Sequence, residues 1–307
     1  MSKSNLVKKL TMALFTLVSV FAIGLTNVNA ETTTTDVVDE TTLVNAMNDK
    51  TTDIVRLTDN IILRDDLDTK IYIEMSKTLD FNGFTLTIPE NQRLQFIYKN
   101  SLDLKFINSS SSKTAKLKIL ANYQDPIYNE IQKAEYTVNF EIDGVDVEYE
   151  KDSETFWTYA GSKSFNNLVF KNLKVTGFYA VTWASGKSIK FSNVTKESKN
   201  SPIHTSLINS SSLTVDDVID ADSVIEYYPS SGTKVTANRT ATLNTIDCYW
   251  GPITVKKKEV QTIMANDEAT LRDAANQINN SKDTIIKLGA DIKLTKFLGF
   301  NVLGNVT

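Results

Sequence analysis

A short phrase that recurs along the middle of the chain constrains the fold more than any other feature. Each copy holds an apolar residue, any residue, a second apolar residue and then a turn-forming residue. Their starts lie 21 to 34 residues apart, and a repeat of roughly 20–30 residues is typical of proteins that stack small units along one axis. The seven copies begin at Leu79, Leu104, Val138, Leu168, Ile189, Leu213 and Val235.

The spacing of the apolar residues within a copy predicts strands. Alternate side chains of a strand point to opposite faces, so Leu104 and Phe106 are expected to point together into a core, as are Ile189 and Phe191. The copies are rich in Val, Ile, Phe, Tyr and Thr and are separated by Asn-Gly, Asp-Gly and Ser-Gly turns, which disfavours helical repeats. The pattern therefore predicts an all-β chain coiled into a β-helix.

Asparagine or aspartate recurs two residues after the second apolar position, at Asn108, Asn172, Asn193 and Asp217. These residue types tolerate left-handed backbone and bond to the local main chain, so they suit a tight turn between two strands. Stacked amides can also bond to one another, which predicts a ladder; separate surface turn residues are the alternative. Around Phe140 the register stays open, because an Asp-Gly pair comes one residue late.

Residues 1–30 have the pattern of a secretory signal peptide. Three lysines precede the mostly apolar run 10–25, and small residues for cleavage follow at 28–30. An uncleaved membrane anchor is the alternative, but the run contains polar residues, and no later stretch is long and apolar enough to span a membrane. The segment predicts a protein that is secreted or displayed at the cell surface, with no stable membrane span after cleavage.

The charge balance disfavours one class of partner. Cleavage would remove three lysines and no acids, which leaves 30 basic against 37 acidic residues and a formal charge of about −7. Nucleic acid is therefore not expected as a partner. The single cysteine, Cys248, has no partner for an internal disulfide and is expected to be a small buried hydrophobe.

The chain divides into a main domain and a partial repeat. The main domain is predicted at 36–252, with an amphipathic helix at 41–48 that covers the first turn of the coil, because a β-helix exposes unpaired backbone and core at its end. The last segment, 263–307, is predicted to be the truncated start of a second copy, which suggests the front of a longer multi-module protein or the product of a truncated gene. The matching stretches are 268–274 with 40–46, and 285–294 with 54–63.

Four stretches together resemble a known family, the pectate lyase-like right-handed parallel β-helix, in particular the pectate-lyase-like adhesive domain of Gram-positive surface proteins. They are residues 42–46, 53–63, 78–86 and 249–251. The resemblance implies a right-handed parallel β-helix and a role in attachment through surface binding. It is more specific for the fold than for the function, because such folds host lyases, hydrolases and binding proteins.

Pectate lyases proper hold calcium with aspartates against an acidic sugar and use an arginine base, often within an Arg-x-Pro-x-x-Arg motif. This sequence has no such motif, and its only histidine, His204, has no evident catalytic partner. No catalytic residue or cofactor is predicted. The densest acidic group could bind calcium, but strand alternation and the lack of a calcium-loop glycine and glutamate favour a solvated turn, so a metal site stays open. This group is Asp216, Asp217, Asp220 and Asp222.

Three aromatic runs, at 156–159, 178–183 and 225–228, each follow the opening phrase of a repeat. Flat rings with polar tips suit stacking on sugars or docking on a protein. Packing of these rings inside the coil is the alternative. The candidate ligand-binding residues are Trp157, Tyr159, Tyr179, Trp183 and Tyr227.

The sequence therefore predicts a non-catalytic adhesin module that binds an extracellular glycan or a host or cell-surface protein. Two alternatives stay open. The first is a lyase or hydrolase acting on an acidic polysaccharide, of which a lyase predicts a calcium-dependent cleft with basic residues. A rigid stalk that displays another domain would have no surface patch that matters to binding.

Overall fold

The computed structural model describes residues 31–64, 69–120, 127–155, 165–180, 186–197, 213–229, 232–246, 251–277 and 282–298. The predicted signal peptide, 1–30, lies outside these residues. The chain separates into two units, Met1–Thr33 and Thr34–Thr307, and all the described helices and strands belong to the second unit.

The described residues of the second unit are mostly β-strand. Their three helices are α1 (Glu40–Asn48), α2 (Val215–Val218) and α3 (Glu268–Asn276), with a 3₁₀ turn at Leu243–Thr245. The strands are β1 Thr34–Val37, β2 Ile54–Leu57, β3 Ile61–Ile62, β4 Thr69–Ile73, β5 Lys77–Asp80, β6 Thr85–Ile88, β7 Leu94–Tyr98, β8 Leu102–Ile107, β9 Ala115–Ile119, β10 Ile127–Ile131, β11 Val138–Asp143, β12 Val145–Thr155, β13 Phe165–Ala180, β14 Gly186–Glu197, β15 Ser223–Tyr227, β16 Val235–Thr236, β17 Ile253–Lys257, β18 Glu259–Ala265 and β19 Lys282–Leu288.

Successive strands from β2 to β12 fall in turn into parallel groups. Strands β2, β5, β8 and β11 pair in that order, strands β3, β6, β9 and β12 pair likewise, and β4, β7 and β10 form a separate three-stranded sheet. The long strands β13 and β14 are paired along most of their length and continue the first two groups. The mostly parallel β architecture is confirmed, and this order of strands is compatible with a parallel β-helix.

Five of the seven recurring phrases lie in this parallel stack, and Leu168 lies opposite Ile189 as a simple alignment of the copies expects, but the register of the earlier copies differs from that alignment. Leu79 lies opposite Phe106 rather than opposite Leu104. Phe140 lies opposite Leu104 and Leu168, so the register that the sequence left open is fixed by the neighbouring strands.

The copies that begin at Leu213 and Val235 do not join the parallel stack. Val215 begins α2 because Thr214 and Asp217 form a capping box, in which the Asp217 carboxylate accepts hydrogen bonds from the Thr214 backbone N–H and hydroxyl at 2.8 and 2.7 Å. Val235 lies in β16, which pairs antiparallel with β15. The predicted parallel rungs at these two copies are therefore wrong, because local capping and an antiparallel return replace them.

The core runs along the inner sides of the parallel strands and is dominated by phenylalanine. The Phe106 ring lies 5.2 Å from Phe140, 5.7 Å from Phe81 and 5.8 Å from Phe96 between ring centroids. All four side chains are buried. Complete burial of such a side chain contributes about 1.5–3 kcal/mol, so these rings stabilise the stack across several strands.

The predicted covering helix is present as α1. Asp39 caps it by accepting a hydrogen bond from the Thr42 backbone N–H at 2.8 Å, and Leu43 and Met47 are fully buried. Glu40 accepts hydrogen bonds from the Arg64 backbone N–H at 2.8 Å and from the Thr69 hydroxyl at 2.6 Å. The helix therefore joins the first strands through both apolar and polar contacts.

Strand β17 follows the predicted end of the main domain at residue 252, yet it pairs with β14 and β15. The last described elements, β18, α3 and β19, include a separate two-stranded parallel sheet. Among the described residues, no helix has the length and apolar character required to cross a membrane.

Candidate ligand-binding surface

The outer sides of β8, β11 and the first half of β13 carry polar side chains on neighbouring strands. We call this surface the polar face, defined by Asp103, Lys105, Asn139, Glu141, Asn167 and Lys171. Its members alternate along each strand with buried apolar residues such as Leu104 and Phe140. The pleat therefore places all six on the side opposite the core.

One row of the polar face is a continuous hydrogen-bonded ladder. The side-chain amide of Asn139 donates through Nδ2 to Oδ1 of Asp103 at 2.6 Å. The side-chain amide of Asn167 donates through Nδ2 to Oδ1 of Asn139 at 2.8 Å. Nδ2 of Asn166 also donates to Oδ1 of Asn139, at 3.3 Å. Because their neighbours already fix these side chains, a ligand that binds them immobilises few additional rotamers.

A second row is a charge cluster centred on Glu141. Its carboxylate lies 2.6 Å from the Lys171 ammonium and 3.6 Å from that of Lys105. Burial alone would raise the pKa of Glu141, but the hydrogen bond and charge of Lys171, with the charge of Lys105, lower it. The hydrogen bond to Glu141 raises the pKa of Lys171. Glu141 and Lys171 therefore both stay charged at neutral pH, and the row holds one carboxylate between two ammonium groups.

An amide ladder runs along the edge of the same strands, as the sequence predicted at two positions. The side-chain amide of Asn193 donates through Nδ2 to Oδ1 of Asn172 at 3.0 Å. The side-chain amide of Asn172 donates through Nδ2 to Oδ1 of Asp143 at 2.8 Å. Asn172 and Asn193 both have left-handed backbone, with φ of 51° and 52°. Each lies inside a long strand and turns it from one parallel group to the next.

The ladder prediction is wrong at Asn108 and Asp217. The Asn108 amide donates instead to the carbonyl of Lys113 at 3.0 Å, and Asp217 caps α2. Sequence reasoning missed Asp143 as a ladder member. The late Asp-Gly pair was its signal, because Gly144, with φ of 73°, takes the left-handed position beside Asn172.

Asp80 links three strands next to the polar face. Its carboxylate accepts hydrogen bonds from Arg56 Nε at 2.9 Å, from the Asn82 backbone N–H at 2.9 Å, and from the Ser109 backbone N–H and hydroxyl at 3.0 and 2.7 Å. Burial alone would raise the pKa of Asp80, but the hydrogen bonds from Ser109, Arg56 and Asn82 lower it. The buried, charged carboxylate of Asp80 therefore links successive strands through its hydrogen bonds.

Most of the predicted aromatic residues lie outside the described part of the chain. This applies to Trp157, Tyr159 and Trp183, whereas Tyr179 is described only as a backbone member of β13. The strands that lead into these runs end side by side, since Thr155 of β12 pairs with Ala180 of β13.

The fifth candidate, Tyr227, ends β15 in the antiparallel part of the sheet. Its side chain is half-buried and packs against the core. The structure thus places Tyr227 outside the polar face, and its predicted ligand role stays a prediction.

Three of the four acidic side chains at 216–222 have partners in the fold. Asp216 pairs with Arg239 Nε at 2.7 Å, and Asp222 pairs with Lys257. The backbone and hydroxyl hydrogen bonds from Thr214 lower the pKa of Asp217. In the described ranges, no group of three or more His, Cys, Asp or Glu side chains is arranged to hold a metal ion.

Comparisons with protein-family models, with curated proteins and with solved structures find no match. The resemblance to the pectate-lyase-like adhesive domain therefore stays a prediction from the sequence, and a function for this chain has to be inferred from its own residues and their contacts.

Proposed function

We propose that the chain is a secreted or surface-displayed adhesive module, built as a right-handed parallel β-helix of the pectate-lyase-like type, that binds an extracellular glycan without cleaving it. The observation that carries the proposal is the polar face, where the ladder of Asp103, Asn139 and Asn167 presents fixed donors and acceptors on adjacent strands.

The polar face suits a hydroxyl-rich ligand for two reasons. Sugar hydroxyls both donate and accept hydrogen bonds, as do the amides of Asn139 and Asn167. The charges of Lys105, Glu141 and Lys171 largely compensate one another, so the surface has no strong field of one sign that would select a highly charged polymer.

The carboxylates of the polar face favour binding over hydrolysis. A general acid in a glycosidase needs a raised pKa, whereas the neighbouring lysines lower the pKa of Glu141. Asp103 is engaged by the Asn139 amide. Glu141 therefore lacks the environment of a general acid.

Binding of the purified chain to a panel of neutral and acidic polysaccharides tests the proposal. The double variant Asn139→Ala/Asn167→Ala should weaken glycan binding at least tenfold while the protein still unfolds cooperatively. Thr87→Ala is the matched control, since Thr87 lies on the outer side of β6, away from the polar face, and should bind as the parent does. Equal binding by the double variant would contradict the assignment of the polar face.

Release of unsaturated uronide or reducing ends from the same polysaccharides tests the non-catalytic part. No product is expected with or without calcium. Calcium-dependent turnover would replace the adhesive proposal with a lyase. Binding to a cell-surface protein, with no glycan bound, would make the module a protein adhesin.

A further inference from the structure

The hydrogen-bonded ladder of the polar face continues onto a fourth strand. Asp103 of β8 lies opposite Asn139 of β11, which lies opposite Asn167 of β13. Asn167 in turn lies opposite Ser188 of β14. All four side chains are half-buried and stand at one level on successive strands. We call these four residues the cross-strand row.

Each member of the cross-strand row keeps hydrogen-bonding capacity for a ligand. A side-chain amide has two N–H donors, and the ladder uses one from Asn139 and one from Asn167. The ladder occupies Oδ1 of Asp103, and the carboxylate has a second oxygen that can accept. The Ser188 hydroxyl can both donate and accept. Every strand of the row therefore offers at least one polar group to a ligand.

These groups recur across the strands but not along them. Neighbouring strands lie about 4.8 Å apart, so a hydrogen-bonding group recurs at that interval in the direction in which the strands stack. Along β11 the outward side chains instead change from Asn139 to Glu141 to Asp143. A polymer of identical units therefore matches the polar face when it crosses the strands, and not when it follows one of them.

The spacing of the row also favours one type of glycosidic linkage. A pyranose chain whose 1,4 bonds are equatorial at both carbons is extended and advances by nearly the strand spacing with each sugar. An axial α-1,4 bond coils the chain, which then leaves the row after one or two contacts. The extended chain turns successive sugars over, and amides and hydroxyls suit this because they both donate and accept.

The neighbouring line of side chains favours an uncharged chain. Two residues further along the same four strands lie Lys105, Glu141, Val169 and Lys190. Glu141 lies 3.6 Å from the Lys105 ammonium, and the half-buried, apolar Val169 separates Glu141 from Lys190. The cations thus form no continuous line that would attract a polyanion. The two lines are about 6–7 Å apart, which leaves room for one sugar ring across them.

We propose that the polar face binds an uncharged, extended β-1,4-linked glycan that lies across the strands, with one sugar on each of β8, β11, β13 and β14. This inference rests on the proposed glycan-binding function, to which it adds the ligand class and the direction of the bound chain. Four strands give four contacts, so affinity rises with chain length up to four sugars and then levels off.

Calorimetric titration of the full chain with oligomers of two to six sugars tests the length limit and the linkage. The probes are β-1,4-linked oligomers of glucose and of N-acetylglucosamine, with α-1,4-linked glucose oligomers as the matched control. In at least one β-1,4 series, affinity should increase from two to four sugars and change little from four to six. The α-1,4-linked tetrasaccharide should bind at least tenfold more weakly.

Ser188→Ala tests the direction, because it removes the last position of the row. The β-1,4 tetrasaccharide should then bind two- to tenfold more weakly, as expected for the loss of one hydrogen bond, and no better than the trisaccharide. Ser192→Ala is the matched control on the same strand, since Ser192 lies opposite Lys171 and outside the row. It should keep the length dependence of the parent.

The results separate this inference from the function on which it rests. Affinity that does not depend on chain length, or equal losses in Ser188→Ala and Ser192→Ala, would overturn the bound direction. Equal binding of the α-1,4 series would overturn the linkage. In each case the glycan-binding function still stands if Asn139→Ala/Asn167→Ala weakens polysaccharide binding. No binding to any polysaccharide would overturn both.

Discussion

Replacement of Asp80 tests whether one buried carboxylate ties successive strands together. The Asp80 side chain is 1% exposed, and its Oδ1 accepts from the backbone N–H groups of Asn82 and Ser109. Its Oδ2 accepts from Arg56 and from the Ser109 hydroxyl. Asp80→Ala removes the acceptor of all four hydrogen bonds and leaves two backbone donors without their partner, so we expect a loss of about 3–5 kcal/mol in the free energy of unfolding.

Asp80→Asn is expected to be milder. The amide oxygen can replace Oδ1 and keep both backbone bonds, and the Ser109 hydroxyl can rotate to accept from the new amide. Only the interaction with Arg56 is lost, and the Arg56 side chain is 38% exposed, so we expect a loss of about 1–2 kcal/mol. Urea unfolding followed by circular dichroism, with a slope equal to that of the parent, measures both values.

The pH dependence adds an independent check. The folded-state pKa of Asp80 lies below its ordinary value, so its charge stabilises the fold above that ordinary value, near pH 4, and this contribution disappears as the pH falls through the folded-state pKa. The difference in the free energy of unfolding between the parent and Asp80→Asn should be constant around neutral pH and should disappear below about pH 4. A neutral-pH gap under about 0.5 kcal/mol, or one that persists in acid, would refute the reasoning.

Phe106→Ala should lower the free energy of unfolding by about 3–5 kcal/mol in the same urea assay, because three other rings contact Phe106; a loss below about 1 kcal/mol would contradict its central place. Asn172→Ala should lower the free energy of unfolding by about 1–2 kcal/mol, and Asn172→Gly should lower it by less, because glycine adopts the left-handed backbone (φ 51°) without the strain that alanine has there. Equal losses in the two variants would mean that the side-chain ladder, and not backbone strain, accounts for the effect. Hydrogen bonds from Thr295 and Arg272 lower the pKa of Glu268 to about 2, so hydrogen-exchange protection of α3 should be complete above about pH 4.5 and fall towards pH 2. Glu268→Gln should remove this pH dependence. An unchanged pH profile in that variant would show that Glu268 is not its cause.

The alternation of buried and outward residues could be predicted from the sequence, because strand geometry is local. Leu104, Phe106, Ile189 and Phe191 are all buried as expected. The covering helix α1 was predictable for the same reason, since its apolar spacing and its cap lie within a few residues of one another. The helix at Val215–Val218 had a local signal too, the Thr-x-x-Asp spacing, which outweighs the strand-like phrase there.

The polar face could not be predicted in this way. Asp103 and Asn139 are 36 residues apart in sequence and yet hydrogen-bonded, and nothing local pairs them. Their contact depends on the register of β8 with β11, which the connecting segments and the packing of Phe106 against Phe140 decide together. The sequence by itself determined which side chains face the core and where the strands turn, because both follow from backbone geometry over a few residues. Only the tertiary structure decided which polar groups become neighbours, because lateral register is a property of whole strands packed on a common core.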